Sequence, residues 1–271
     1  MGLRGRVALV TGASTGIGAA TARAFGAEGA RVALTYRTNK DKATRVAEEV
    51  ESAGGEALTV RLDLEDRAGI ASAVSAVVER WGGVDVLVAN AVRWGGSAPD
   101  FSARFEDVPA EEWQAMVDAN LLGTADVVRQ VLPSMRARRW GRIVLVSSGV
   151  AEEGLPGPGP YGTAKSGLHG MARALAWNAG SDGVLVNVVA PGLTLTERVP
   201  SLGSHYVDAF AAAVPSRRLS TPDDVARLVT FLGSEATATS PGNWCARAVP
   251  RPAHRTSAGE AVSDGRVPKG V

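Results

Sequence analysis

The sequence predicts an α/β fold in which helices cover both faces of a doubly wound parallel sheet. Apolar runs of strand length alternate with longer amphipathic stretches, and a glycine-rich turn joins the first run to the first helix. Alternation of this kind is typical of parallel sheets. With 271 residues, 45% of them apolar, the chain can bury one large core. No linker or internal repeat is expected before residue 240, so residues 1–240 are interpreted as a single domain.

Each element follows from the spacing of its apolar residues. Strands are predicted at residues 6–11, 31–36, 57–62, 84–89, 142–147 and 184–190, and helices at 17–29, 40–53, 67–80, 110–137 and 161–179. A last helix is predicted from Thr221 as N-cap, Pro222 in the first turn and Asp224 in a capping-box-like position. Because ligands of such sheets bind at the carboxyl ends of the strands, we expect the functional residues there.

The turn after the first strand reads TGASTGIG, from Thr11 to Gly18. Gly12 permits a tight turn, Gly16 lets the backbone approach a pyrophosphate, and Gly18 lets the helix pack closely on the sheet. The N–H groups and the dipole of the helix start would then face the anion. The turn therefore predicts a Rossmann-type dinucleotide site, although glycine also serves strand-to-helix turns that bind nothing.

Tyr161 and Lys165 lie four residues apart in YGTAK, and Tyr161 follows Ser148 by thirteen places. A helix would place the phenol and the ammonium side by side on one face. A neighbouring cation favours the phenolate, so the lysine is expected to lower the tyrosine pKa from about 10 toward the range of acid–base catalysis. A tyrosine and a lysine at this spacing also occur on solvated helix faces that do no chemistry.

Composition excludes several other kinds of protein. The net charge of +1 gives no electrostatic reason to expect nucleic acid or an anionic membrane as a partner. Cys245 is the only cysteine, which excludes an intrachain disulfide and cysteine-based zinc sites. His169, His205 and His254 are too scattered to predict a metal site. No signal peptide and no apolar stretch near ~18 residues is recognised, so a cytoplasmic location is expected.

From about Gly5 to Gly233 these motifs resemble the short-chain dehydrogenase/reductase family, and most closely its 3-oxoacyl reductase-like members. The matching positions, in chain order, are Thr11, Gly12, Gly16, Gly18, Asp63, Asn120, Ser148, Tyr161, Lys165, Pro191, Gly192 and Thr196. The resemblance implies that Ser148 binds the substrate carbonyl, Tyr161 passes the proton, and Lys165 acidifies the tyrosine and holds the nicotinamide ribose. Asn120 would hold a water that leads to Lys165; a buried asparagine at a helix irregularity is the alternative. Ser147 is interpreted as a strand-end hydroxyl.

The resemblance also implies the cofactor and the residues that bind it. An acidic residue near the end of the second strand favours NAD, and a basic one accommodates the 2′-phosphate of NADP. Arg37 stands there after Tyr36, so NADP(H) is preferred; NAD(H) stays possible because Thr15 replaces a second basic residue. The expected cofactor-binding residues are Thr11, Gly12, Ser14, Thr15, Gly16, Ile17, Gly18, Arg37, Asp63, Leu64, Asn90, Tyr161, Lys165, Pro191, Gly192, Thr194 and Thr196.

Three positions depart from the family pattern. Val92 replaces a glycine beside the expected cofactor ribose. The loop from Arg93 to Pro109 is longer than usual, and its first residues, Arg93 and Trp94, are expected either to shape the substrate mouth or to decorate the surface. Substrate identity is expected to depend on this loop and on residues 193–214. Carrier-protein docking is doubtful, because Arg139 matches one basic docking position but Asp182 occupies the other.

The residues after Pro241 form an atypical tail, 241–271, without a strand pattern. Since Pro250 and Pro252 argue against a central strand, the family's seventh strand is expected to be missing or altered. The codons of Asn243–Cys245, read one nucleotide later, encode Thr or Ile, then Gly, then Ala or Val, which resembles the family's Val-Thr-Gly start of that strand. We hypothesise a frame change near residue 242, which resequencing of the gene or the intact mass of the natural protein would test.

The expected function is that of an NADP(H)-dependent oxidoreductase that interconverts a carbonyl and a secondary alcohol, with 3-oxoacyl thioesters as the first substrate class to consider. A free ketone, a sugar or a steroid-like alcohol stays open. The alternative is a non-catalytic or destabilised nucleotide-binding relative whose C-terminus is disrupted. The resemblance further implies a homodimer or homotetramer.

Overall fold

The computed structural model describes residues 2–95, 104–154, 159–199, 204–237 and 245–247. Its strands are β1 (Val7–Val10), β2 (Arg31–Tyr36), β3 (Glu56–Arg61), β4 (Val86–Ala89), β5 (Gly141–Val146), β6 (Val184–Ala190) and β7 (Cys245–Arg247). Its α-helices are α1 (Gly16–Ala27), α2 (Lys40–Ser52), α3 (Arg67–Trp81), α4 (Ala110–Val117), α5 (Thr124–Ala137), α6 (Val150–Glu153), α7 (Gly159–Ala179), α8 (Ser204–Ala213) and α9 (Pro222–Leu232).

The strands form one parallel sheet in the order β3-β2-β1-β4-β5-β6-β7, with β1 and β4 at its centre. The order reverses direction between β1 and β4, which is the point where doubly wound sheets bind their ligands. The six strands predicted from sequence lie within two residues of their observed bounds. The predicted fold class is confirmed.

Successive side chains of the central strands point to opposite faces of the sheet, and each face carries its own core. Leu9, Leu87 and Ile143 pack under α3, α5 and α7, whereas Val10 and Val88 pack under α1, α2 and α9. These strands are buried on both faces, which explains why they are apolar throughout instead of alternating. The two cores leave only the carboxyl ends of the strands open to the loops that carry the predicted motifs.

The predicted helix over 110–137 is helical throughout, but it is not α-helical throughout. An Asp118–Gly123 segment with π-helical hydrogen bonding joins α4 to α5. At Gly123 the helix approaches the chain after β3 so closely that a Cβ atom would lie 2.4 Å from the Leu64 carbonyl oxygen. The wider turn also carries Asn120, whose side chain is fully buried. Such π segments are rare and recur at functional sites.

The last helix begins as predicted. The Thr221 hydroxyl accepts the Asp224 N–H at 3.2 Å, and the Asp224 carboxylate accepts the Thr221 N–H at 3.0 Å. This reciprocal pair is a capping box, with Pro222 in the first turn. The cap holds α9 against α1, where Val225 and Val229 are buried.

The expectation that the tail lacks a strand needs correction. Cys245–Arg247 pairs in parallel with β6, in the register Val188 to Cys245 and Ala190 to Arg247. A three-residue strand can form here because β6 offers an open row of backbone groups, and pairing with them does not depend on the side chains of the added segment. The seventh strand is therefore altered and short, not missing. Pro250, Pro252 and the other residues of 248–271 lie outside the described residues, as do 241–244.

Candidate active site

The carboxyl ends of β1, β4, β5 and β6 bring the predicted catalytic residues together. Ser148 follows the end of β5 by two residues, and Tyr161 and Lys165 lie in the first two turns of α7. The Ser148 hydroxyl lies close enough to the Tyr161 phenol to lower its pKa. The Lys165 nitrogen lies 5.9 Å from the centroid of the tyrosine ring. The serine, phenol and ammonium thus share one corner of the molecule, as the spacing predicts.

Lys165 is held by the strand beside it. Its Nζ donates to the Val146 carbonyl at 2.8 Å, and its own carbonyl accepts the Ser147 hydroxyl at 3.0 Å. Only 3% of the lysine is exposed. The interpretation of Ser147 as a strand-end hydroxyl is confirmed, because its oxygen is buried and hydrogen-bonded within the protein. The ammonium is thereby fixed beside the tyrosine.

The predicted lowering of the Tyr161 pKa is wrong. Burial raises the pKa of Tyr161 to about 12; the Ser148 hydrogen bond and the charge of Arg198 lower it by less than burial raises it. Burial likewise lowers the pKa of Lys165 to about 8. Desolvation disfavours the charged form of both groups, and it outweighs the attraction that the helical spacing suggests.

Trp94 explains much of this burial. Its indole stacks on the Tyr161 ring with 5.2 Å between centroids and an interplanar angle of 23°. The Arg198 guanidinium carbon lies 4.7 Å from the centroid of the Trp94 ring, within cation–π range. Trp94 thus lies against Tyr161, as the expectation that it shapes the substrate mouth requires. The rest of its loop, 96–103, lies outside the described residues.

The Asn120 side chain binds the backbone of the loop that carries Trp94. Its Oδ1 accepts the Arg93 N–H at 2.8 Å, and its Nδ2 donates to the Arg93 carbonyl at 3.0 Å. Both halves of the amide therefore hold the backbone next to Trp94. This geometry favours the alternative reading of Asn120, a buried amide at a helix irregularity, for its side chain. Its backbone carbonyl, in the π segment, accepts the Thr124 hydroxyl at 3.0 Å.

The glycine-rich turn has the shape that a dinucleotide requires. Gly12 has a φ of +65°, and a Cβ there would lie 2.8 Å from the Ala91 Cα. A Cβ at Gly18 would lie 2.3 Å from the Gly12 carbonyl oxygen. Thr15 stands at the N-cap of α1 but its side chain makes no capping hydrogen bond, so the first N–H groups of the helix have no side-chain cap from it. These features fit the phosphates of a dinucleotide.

Two predicted cofactor residues brace the turn from behind. The Thr11 hydroxyl accepts the N–H groups of Asn90 and Ala91, both at 2.9 Å. The Asn90 amide donates to the carbonyls of Thr11 and Gly12 at 2.9 and 3.1 Å. Their side chains therefore join the turn after β1 to the turn after β4 and preserve the shape of the cradle.

The segment after β6 covers the turn from above. Thr196 lies so near Gly16 that a Cβ on that glycine would be 3.1 Å from the threonine methyl. The Glu197 carboxylate accepts the Gly16 N–H at 3.5 Å. Neither Glu197 nor Arg198 was predicted, and the only sequence signal is that both follow Thr196. The Glu197 carboxylate therefore accepts a backbone N–H group that the predicted cofactor would use.

The short chain dehydrogenase family model matches residues 6–206. The chain belongs to this family. It is 34% identical to the 3-oxoacyl-[acyl-carrier-protein] reductase FabG of Staphylococcus epidermidis over 84% of this chain and 91% of that protein. It is 33% identical to acetoacetyl-CoA reductase of Cupriavidus necator over 88% and 94%. The levodione reductase structure superposes with a TM-score of 0.81, at 29% identity, over 88% of this chain and 94% of that one.

Family membership identifies the chain as an NAD(P)-dependent oxidoreductase that acts on CH–OH or C=O groups. The predicted family and the predicted enzyme class are both confirmed. Within the described ranges no cluster of metal-ligating side chains occurs, and no helix has the length and hydropathy to span a membrane.

The remaining predicted cofactor residues lie around the same edge of the sheet. Arg37 is exposed beyond the end of β2, where a basic side chain can reach an adenosine ribose. Asp63 is half-buried, and its carboxylate accepts the Glu65 N–H at 3.2 Å. The others lie in three segments. Ser14 and Ile17 lie in the turn after β1 and at the start of α1, Leu64 follows β3, and Pro191, Gly192 and Thr194 follow β6.

The two candidate docking positions lie elsewhere. Arg139 lies two residues before β5 and Asp182 two residues before β6, so both lie at the amino ends of the strands. Arg139 donates to the Ser181 carbonyl at 3.0 Å, and Asp182 forms an ion pair with Arg136. The Asp182 carboxylate is thus paired within its own chain at the amino ends of the strands, whereas Ser148 lies at their carboxyl ends.

Proposed function

We propose that this protein is an NADP(H)-dependent oxidoreductase that interconverts a carbonyl and a secondary alcohol, with Ser148, Tyr161 and Lys165 as its catalytic residues. One observation carries the proposal: the three side chains meet at the end of β5, next to a glycine-rich helix start shaped for phosphate. Asn120 contributes by holding the backbone at the mouth of the site. A bound dinucleotide supplies or accepts the hydride.

The protein groups then have distinct tasks. The Ser148 hydroxyl binds the substrate oxygen, and Tyr161 gives it a proton as negative charge develops. With its pKa raised by burial to about 12, the Tyr161 phenol is protonated at neutral pH. Lys165, fixed by the Val146 carbonyl, places a positive charge beside the phenol.

The preference for NADP(H) depends on Arg37. No acidic residue stands at the end of β2, where one would bind the ribose 2′-hydroxyl of NAD, and the exposed guanidinium can pair with a 2′-phosphate. Ser14 and Thr38 add hydroxyl groups nearby. The cradle around Gly12, Gly16 and Gly18 would hold the pyrophosphate.

For the substrate we propose a 3-oxoacyl thioester, since the relatives described above include reductases of 3-oxoacyl-carrier protein and of acetoacetyl-CoA. A thioester of coenzyme A is favoured over one on a carrier protein. Asp182 stands where a basic docking residue is expected. Its ion pair with Arg136 also neutralises a positive charge that an acidic carrier protein would need for binding. We also propose a homodimer or homotetramer, supported by the Trp177 side chain, which is 89% exposed on α7.

The test is a titration of the purified protein with NADPH and NADH, followed by nucleotide fluorescence, and a turnover assay with acetoacetyl-CoA and simple ketones. We expect NADPH to bind more tightly than NADH, and Arg37→Ala to remove that preference while leaving NADH binding unchanged. Lys42→Ala, an exposed change on α2, is the matched control for loss of positive charge. A folded protein that binds neither nucleotide would overturn the proposal in favour of a non-catalytic relative.

A further inference from the structure

Three consecutive residues at the end of β5 each contact α7. The Val146 carbonyl accepts the ammonium of Lys165, and the Ser147 hydroxyl donates to the carbonyl of the same lysine. The hydroxyl of the third residue, Ser148, lies near the Tyr161 phenol and lowers its pKa. Lys165 is therefore tied to the strand at both its side chain and its backbone. The relative position of strand and helix determines how the catalytic groups meet.

Ser147 has a second partner, His169, which lies one helical turn beyond Lys165. The histidine Nε2 is 2.8 Å from the Ser147 oxygen. The hydroxyl has one proton, and the Lys165 carbonyl, 3.0 Å away, can only accept it. When the hydroxyl gives its proton to that carbonyl, Nε2 carries a hydrogen and donates it to the serine oxygen, and this is the arrangement that the pair requires. The neutral Nε2–H tautomer and the imidazolium both provide this donor.

We propose that Ser147 and His169 form a positioning pair that fixes the distance between Ser148 on the strand and Lys165 on the helix; this inference rests on the proposed function. Ser147 is 4% exposed, and its two partners leave its hydroxyl one orientation. Neither residue contacts the reacting atoms. The pair acts through the lysine carbonyl, so its loss is expected to lower kcat.

The kinetic test compares His169→Leu with His169→Gln, whose Nε2–H reaches about as far as the imidazole. Small displacements of reacting groups lower rates by up to about a hundredfold, so we expect His169→Leu to lose about tenfold or more in kcat. The KM for the carbonyl substrate stays unchanged, and His169→Gln recovers most of the rate. A wild-type kcat in His169→Leu, or equal losses in both variants, would overturn the pair.

A second variant separates this effect from ordinary loss of stability. Ser147→Ala should match His169→Leu in kcat, whereas Ser72→Ala keeps the wild-type rate. Ser72 is the matched control because its hydroxyl also donates to a helix carbonyl, that of Ala68 at 3.0 Å, on an exposed helix far from the site.

A spectroscopic test needs no turnover and keeps the two proposals apart. Nitrogen NMR of histidine-labelled protein, assigned by the resonance that disappears in His169→Leu, reports which ring nitrogen of His169 carries hydrogen. An Nε2–H tautomer that is lost in Ser147→Ala supports the pair, and an Nδ1–H tautomer overturns it. An inactive wild type with the expected tautomer would contradict the proposed function and leave the pair standing.

Discussion

The Glu197 carboxylate is expected to compete with the cofactor. It accepts the Gly16 N–H at 3.5 Å, and a pyrophosphate oxygen on that N–H would lie within about 4 Å of the carboxylate. Two unit charges at that distance repel by about 1 kcal/mol in water, and the high dielectric applies because Glu197 is exposed. Glu197→Gln should therefore tighten NADPH binding by about fivefold.

The assay is an NADPH fluorescence titration at low and high ionic strength. Salt screens exposed charges, so the difference between wild type and Glu197→Gln should shrink as salt is added. Glu51→Gln is the matched control, because it removes the same charge from the last turn of α2, away from the glycine-rich turn. Equal or weaker binding by Glu197→Gln, or an equal gain in Glu51→Gln, would refute the reasoning.

Four further predictions concern the same site. Tyr161→Phe should abolish turnover with NADPH affinity unchanged; a variant that keeps most of its activity would contradict the assigned acid. Gly18→Ala should lower the free energy of unfolding by about 1–3 kcal/mol, because its Cβ would overpack against the Gly12 carbonyl. Gly170→Ala, which has open space at its Cβ, should raise that free energy, and thermal unfolding measures both variants. Burial lowers the pKa of Lys165 to about 8, so between about pH 8 and pH 10 the unfolded chain binds more protons than the folded one. The free energy of unfolding of the wild type, relative to Lys165→Met, should therefore rise by up to about 1.4 kcal/mol per pH unit in that range. A difference in denaturant midpoints that does not change with pH would contradict this prediction. Trp94→Ala should expose the phenol and lower the pKa of Tyr161, measured by ultraviolet titration, while Trp94→Phe should not.

Local sequence patterns predicted the elements whose stability is local. The capping box at Thr221 needs only two side chains three residues apart, and both are visible in the sequence. The glycine-rich turn likewise depends on neighbours within one loop. The π segment could not be predicted this way, because it arises where Gly123 meets the Leu64 carbonyl, a contact between parts of the chain about sixty residues apart. β7 also escaped prediction, since its pairing depends on the open edge of β6.

The same distinction explains the catalytic site. The spacing of Tyr161 and Lys165 places a cation near a phenol, and the structure has it there. The acidity of the phenol depends on what surrounds it, and Trp94 reaches it from a different loop. Desolvation by such a distant group cannot be read from i, i+4 spacing, so the proximity of Tyr161 and Lys165 was predictable and the ionisation of the phenol was not.

The segment after β6 meets the site at two points. Glu197 accepts an N–H of the phosphate cradle, and the next residue, Arg198, lies over Trp94, which stacks on the phenol. A dinucleotide must bind beside the carboxylate, and a substrate must reach the hydroxyl beside the indole. Two consecutive residues therefore border both the cofactor cradle and the phenol, although they are far from Tyr161 in the sequence.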